Sequence, residues 1–246
     1  MLIGITRVRN EALIIGDTVR HYLEHCDRIV MYDDASTDDT VELAMEAGGD
    51  QIEVIRGTEW RQVRRPEETR HRALVLERAR ALGATWALCF DADERLVGEL
   101  PYLTRTRANG FTFRLFDGYL TEEMQEAYTG GPLEQLPRMW GPEYRDILIL
   151  FRVSASRFVG DGNRCPRTEG PVEPAPGVFV KHFGKCLSVD HWEDTCRYYA
   201  AEGWPDHYRR KWTNRIGKAI HTTSDRGRAL RTWEHLMARP GRWRKL

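Results

Sequence analysis

Apolar positions follow two different rhythms along the first hundred residues, and the rhythms alternate. Residues 2 to 8, LIGITRV, make a short apolar run of strand length, whereas EALIIGDTVRHYL repeats its apolar positions at near-helical spacing, with Asn10 placed to cap that helix. RIVMY gives a second strand and runs into DDASTDDT, where Ser36 can cap the next helix with Asp39 three residues on. Gly48 and Gly49 stop that helix. QIEVI reads as a third strand, residues 66 to 82 as a helix closed by Gly83, and TWALCF as a fourth strand. Strands and helices in strict alternation predict a mostly parallel sheet flanked by helices, an α/β fold.

Beyond residue 100 the rhythm loosens. GFTFRLFDGYL, DILILFRVS, RFVG and GVFVKHF read as strands of a mixed or antiparallel region, separated by Pro/Gly-rich loops near 130 to 142 and 160 to 177. From Ser188 onward, SVDHWEDTCRYYAAEG and the segment after Pro205 are helical in pattern, and the last residues fray. With no internal repeat and no Gly/Ser linker, one domain is expected over 1–246. Its parts are a ligand-binding half (1–100), an acceptor-side half (101–187) and a helical C-terminal segment (188–246).

Composition adds four points. A hydrophobic fraction of 41% suffices for a folded core, yet no apolar run approaches the roughly 20 residues that cross a bilayer. No export signal opens the chain, so a cytoplasmic location is the default expectation. Cys26, Cys89, Cys165, Cys186 and Cys196 form no CxxC pair and read as free thiols, with irregular spacing for a zinc site at Cys165 and Cys186. The formal charge of zero conceals an asymmetry, since residues 205 to 246 carry 12 Lys/Arg against three Asp/Glu. Such a tail suits a phosphate-bearing substrate or the inner face of an anionic membrane, where peripheral contact would follow; nucleic acid is the less expected partner.

The acids sit where strands end. In parallel sheets ligands bind beyond the carboxyl ends of the strands, and Asp33 and Asp34 follow the second strand while Asp91 and Asp93 follow the fourth. A D-x-D of hard oxygen ligands suits Mg2+ or Mn2+. Asp33 and Asp34 can accept hydrogen bonds from a base N–H or a ribose hydroxyl. Arg70 and Arg72, on the helix before the fourth strand, are candidates to hold phosphates.

ITRVRNEA, YDDASTDDT and CFDADE, in this order and spacing, resemble glycosyltransferase family 2 and its GT-A relatives, over the first hundred residues. The resemblance implies a Rossmann-like GT-A fold and transfer of a sugar from a nucleoside diphosphate sugar, a UDP-sugar first, to an acceptor hydroxyl. That acceptor is a saccharide, a small molecule or a lipid-linked group. By the same resemblance Thr6 and Asp34 contact the nucleoside with Asp33 beside them. Asp91 lies near the ribose or a metal-bound water, and Asp93 holds Mn2+ or Mg2+ against the diphosphate. It further implies a metal ligand at His182 in VFVKHFGK; His71, His191, His207 and His221 carry no such expectation.

Transfer with inversion needs a base for the acceptor hydroxyl. The family's acidic pair ahead of the final helices is not evident in this chain. Asp161, in the Gly-rich loop FVGDGNRC, is the first choice and Glu169 the second. Trp192 and Trp204 are the tryptophans to inspect for stacking on a sugar. Two alternatives stand beside this reading. A sugar nucleotidyltransferase would want a Gly-rich basic loop that ITRVRNEA lacks, and a non-catalytic module would use the basic tail on polyanions or membranes. A dinucleotide-binding dehydrogenase is disfavoured, because no GxGxxG follows the first strand.

Overall fold

The structure, a computed structural model, describes all residues except 62–63, 101–105 and 161–163, together with the backbone but not the side chains of Arg64 and Arg65. The chain forms two compact units. The first comprises Met1–Asp93, Val97–Phe113 and Ile147–Val178; the second comprises Glu94–Leu96, Arg114–Asp146 and Phe179–Leu246.

The first unit opens with β1 (Leu2–Val8), α1 (Ile15–Leu23), β2 (Arg28–Asp33), α2 (Thr40–Gly48), β3 (Ile52–Arg56), α3 (Arg64–Ala81) and β4 (Trp86–Phe90). Its strands lie in the order β3-β2-β1-β4 and all run parallel, with Ile5 beside Val30 on one flank and beside Cys89 on the other. Period-2 alternation then decides which residues meet which helix. Ile3, Ile5, Val30, Ala87 and Cys89 pack against Val75, Leu76 and Ala79 of α3. On the alternate positions Phe90 stacks on Tyr22 of α1 at 3.6 Å, and a side chain at Gly4 would press on Phe90, Ile29 and Cys26. Helices on both faces explain why these strands read as continuous apolar runs. This is a Rossmann-like, GT-A type α/β arrangement with a mostly parallel central sheet.

The remaining elements are β5 (Glu94–Val97), β6 (Gly110–Tyr119), β7 (Met139–Arg152), β8 (Ser156–Arg157), β9 (Arg167–Thr168), β10 (Val172–His182), α4 (Val189–Ala200), α5 (Asp206–Thr213), α6 (Trp233–Met237) and β11 (Arg244–Lys245). In the first unit the C-terminal end of β7 runs antiparallel to β4, with Trp86 opposite Arg152. In the second unit Phe116 of β6 is ringed by Tyr144, Phe179, Trp233 and Trp243. Ser188 caps α4 by accepting from the His191 amide at 3.0 Å.

Several local expectations are corrected. Asn10 does not cap α1; it sits at φ +53, its side chain accepts from the Thr37 amide at 2.8 Å, and its own amide donates to Ser36. Ser36, committed to Asn10, does not cap α2 either. Asp38 accepts from the Thr40 amide at 3.1 Å instead. The strands β7 and β10 begin at Met139 and Val172, inside stretches that read as loops, because sheet pairing overrides the low strand propensity of Gly, Pro and charged residues there. Glu94 opens a strand and is fully buried. All five cysteines are free, and no helix among the described residues is long and apolar enough to cross a membrane.

Candidate functional site

Alternation along β1 carries Arg7 to the same face as Ile3 and Ile5, so it leaves the strand toward α3. There it forms an ion pair with Asp34 and lies 3.4 Å from Glu68. His71 of α3 approaches Asp34 at 3.7 Å and stacks on Tyr32 with ring centroids 3.8 Å apart. Burial, only partly opposed by Asp34, pushes the His71 imidazole down to about 4, so the ring is neutral at pH 7. Asp34 thus faces one permanent cation and one neutral ring. Asp33 turns back on its own loop and accepts from the Ser36 amide at 3.2 Å. Arg9 donates to the backbone carbonyls of Asp34 and Ala35, pinning Ala35 at φ +52, and its guanidinium lies 4.3 Å from the centre of the Trp60 ring.

A second group gathers past β4. Asp91 continues the alternation of Ala87 and Cys89 and so also faces α3, where Arg72 donates to it at 2.7 Å; Arg164 approaches its other oxygen at 3.4 Å. Arg72 is buried. Burial works against its charge, but Asp91 and Cys89 outweigh that and hold it above its ordinary value. The Thr18 hydroxyl donates to the Ala92 carbonyl at 2.7 Å, fixing the turn between Asp91 and Asp93 against α1.

Glu11, just past β1, completes the group. Its amide donates to Thr40 at 2.7 Å, and its neighbour Ala12 donates to the Asp38 carboxylate. Its carboxyl is held well above the usual value, first by burial and then by the negative charges of Asp93, Asp91 and Asp38, with Arg7 opposing. Four carboxylates therefore share one electrostatic neighbourhood beyond the carboxyl ends of β1, β2 and β4. Among the described residues no three His, Cys, Asp or Glu side chains converge on a point that would hold a metal ion. A donor set of two carboxylates is nevertheless what Mg2+ uses when substrate phosphates and water fill its remaining positions.

The other expected site residues are placed as follows. The Thr6 hydroxyl donates to the Phe90 carbonyl at 2.8 Å and is 1% exposed, tying β1 to β4. Arg70 lies on the exposed side of α3, paired with Glu67 at 2.6 Å. Asp161 lies outside the described residues, and Glu169 pairs with Arg157 on the surface. His182 belongs to the second unit, where its Nδ1 lies 2.6 Å from Asp117. Trp192 and Trp204 are buried in the second unit, so they pack α4 and α5 and present no open face for stacking on a sugar.

Sequence reasoning missed Glu11, Asp38, Arg7 and Arg164. Glu11 carried the very signal used for Asp91, an acid just past an apolar strand. Arg7 could have been found by counting alternate positions from Ile3. For Arg164, distant in sequence, no local signal exists.

No family model and no curated protein matches the chain. Among solved structures, 4-diphosphocytidyl-2C-methyl-D-erythritol synthase from Anaerococcus prevotii is 12% identical, covering 63% of this chain and 72% of that one, with a TM-score of 0.38. Another 4-diphosphocytidyl-2C-methyl-D-erythritol synthase is 14% identical over 70% of this chain and 88% of that one, with a TM-score of 0.40. HddC from Yersinia pseudotuberculosis is 9% identical over 81% of this chain and all of that one (100%), also with a TM-score of 0.40. Likeness at this level lends a functional argument nothing.

Proposed function

We propose that the protein is a glycosyltransferase that moves a sugar from a nucleoside diphosphate sugar, a UDP-sugar first, to an acceptor hydroxyl with inversion, using Mg2+ or Mn2+. The observation that carries this reading is the carboxylate group Glu11, Asp38, Asp91 and Asp93 beyond the ends of parallel strands, with Arg7, Arg72 and Arg164 beside it. Crowded carboxylates raise one another's proton affinity, and a divalent cation relieves that repulsion.

In this reading Asp93 and Asp91 hold the metal, which when bound neutralises charge on the departing diphosphate. Arg72 acts as a positioning residue that fixes one oxygen of Asp91, and Arg164 adds positive charge for the phosphates. Asp34 and Asp33 stand at the nucleoside end. Removal of the acceptor's proton falls to a carboxylate, for which Asp161 is the candidate from sequence alone.

The reading is tested by titrating UDP with and without Mn2+ into the protein and its Asp93→Ala variant. Metal-dependent binding that the variant loses is expected; equal affinity in a folded variant overturns the proposal. The alternative is a sugar nucleotidyltransferase. It would release pyrophosphate from a nucleoside triphosphate and a sugar phosphate, a product that glycosyl transfer never forms.

A further inference from the structure

The His71 ring, 2% exposed, uses only one of its two nitrogens. Its Nε2 lies 3.0 Å from an amino group of Arg70 and 3.4 Å from Glu67. A guanidinium only donates, so Nε2 accepts, and the neutral ring carries its proton on Nδ1. That N–H is shut off from solvent and has no hydrogen-bond partner among the described residues. It faces Oδ1 of Asp34 at 3.7 Å, beyond hydrogen-bond reach, while Oδ2 of the same carboxylate takes Arg7. A donor and an acceptor thus stand side by side without bonding each other.

Buried polar groups are nearly always paired, and a donor left unpaired in the folded chain is costly unless something else pairs it. This one stands just past β2, at the strand ends where ligands of parallel sheets bind. Its partner must accept from Nδ1–H and donate to Oδ1. A single hydroxyl at about 2.9 Å from both atoms would bond them at an angle of about 80°, inside its tetrahedral preference. The edge of a cyclic amide offers C=O and N–H next to each other, so each bonds along its own line.

We propose that His71 selects the base of the nucleotide: its Nδ1–H and the Asp34 carboxylate together recognise the C=O/N–H edge of a pyrimidine imide or of guanine. The inference rests on the nucleotide-sugar reading and adds to it the class of base. Stacking on Tyr32 fixes the plane of the His71 ring, and the edge enters past Glu68, whose side chain is 26% exposed. Cytosine and adenine carry the reverse pattern, an amino donor beside a bare ring nitrogen. They would set N–H against N–H and a lone pair against the carboxylate.

The test measures dissociation constants of UDP, GDP, CDP and ADP by calorimetry, with and without Mn2+, for the wild type, His71→Leu and His71→Asn. The wild type should bind UDP or GDP at least about tenfold more tightly than CDP and ADP. Preference for UDP assigns a pyrimidine imide and preference for GDP assigns guanine; either supports the inference. His71→Leu keeps bulk without the donor and should lose the preference, whereas His71→Asn places an amide N–H near the position of Nδ1 and should retain most of it. Comparing ligands on one protein cancels any loss of folded fraction, which would weaken all four alike. Equal affinities in the wild type, a preference that survives in His71→Leu, or an Asn variant no better than Leu overturns the inference. Selectivity that needs no Mn2+ sinks the metal-dependent transferase and leaves the base assignment standing; metal-dependent UDP binding without selectivity does the reverse. A chain that binds none of the four overturns both.

Discussion

The Arg72 guanidinium spans from α3 to the tip of β4, donating to Asp91 at 2.7 Å through one amino group and to the Cys89 sulfur at 3.3 Å through the other. Cys89 is a weak acceptor that stays protonated, its thiol pushed up to about 11 by burial. The carboxylate therefore supplies most of the compensation for a buried cation. Arg72→Met should remove the nearer of the two described cations at Asp91 and cost about 2 kcal/mol in urea unfolding. The double variant Arg72→Met/Asp91→Asn should recover part of that loss. An additive double variant would show that the pair is not coupled.

The crowding at Glu11 has a pH signature. Its folded pKa lies well above the ordinary 4.5, so its contribution to stability is fully present below that value and is lost as pH rises through the raised one. The metal-free wild type should thus lose stability relative to Glu11→Gln as pH increases from about 4.5 toward neutrality. Parallel Tm-against-pH curves for the two proteins would contradict the raised pKa.

Thr6 separates a structural from a ligand-binding role. Its hydroxyl already donates to the Phe90 carbonyl inside the sheet. Thr6→Val should cost about 1 kcal/mol of stability while changing UDP affinity less than twofold, or about 0.4 kcal/mol. A drop in UDP affinity at unchanged stability would restore the nucleoside contact that the family resemblance implies.

Asp117 behaves in the opposite sense to Glu11. Burial alone would raise its pKa, but Lys185, His182 and Arg145 outweigh burial and hold the carboxyl well below 3.8. Its stabilisation is present above 3.8 and disappears as pH falls through the depressed value. Asp117→Asn should cost about 3 kcal/mol at pH 7, with the gap to wild type closing only in strong acid. A gap that closes by pH 5 would mean that the carboxylate is not paired in solution.

How much of this was legible beforehand depends on the range of the interaction concerned. The alternation through β4 was readable because strands buried on both faces need unbroken apolar runs, and the helices between them need apolar residues at helical spacing. The acids at the ends of β2 and β4 were readable for the same reason, since an apolar run cannot continue into charge unless it has left the core. Loop chemistry was not: Asn10, Ser36 and Asp38 all have capping side chains, and which amide each one serves depends on how the loops after β1 and β2 face each other.

The sequence by itself therefore determined the alternation from β1 to β4 and the acids that follow β2 and β4, because both follow from periodicity within a few residues. Only the tertiary structure decided the partners there: Arg7 with Asp34, Arg72 and Arg164 with Asp91, Glu11 among the acids, and Lys185 between Asp117 and Asp225. Ion pairing and pKa depend on distances in space and on exclusion of water. Both are set by segments far apart in the chain, which no local pattern encodes.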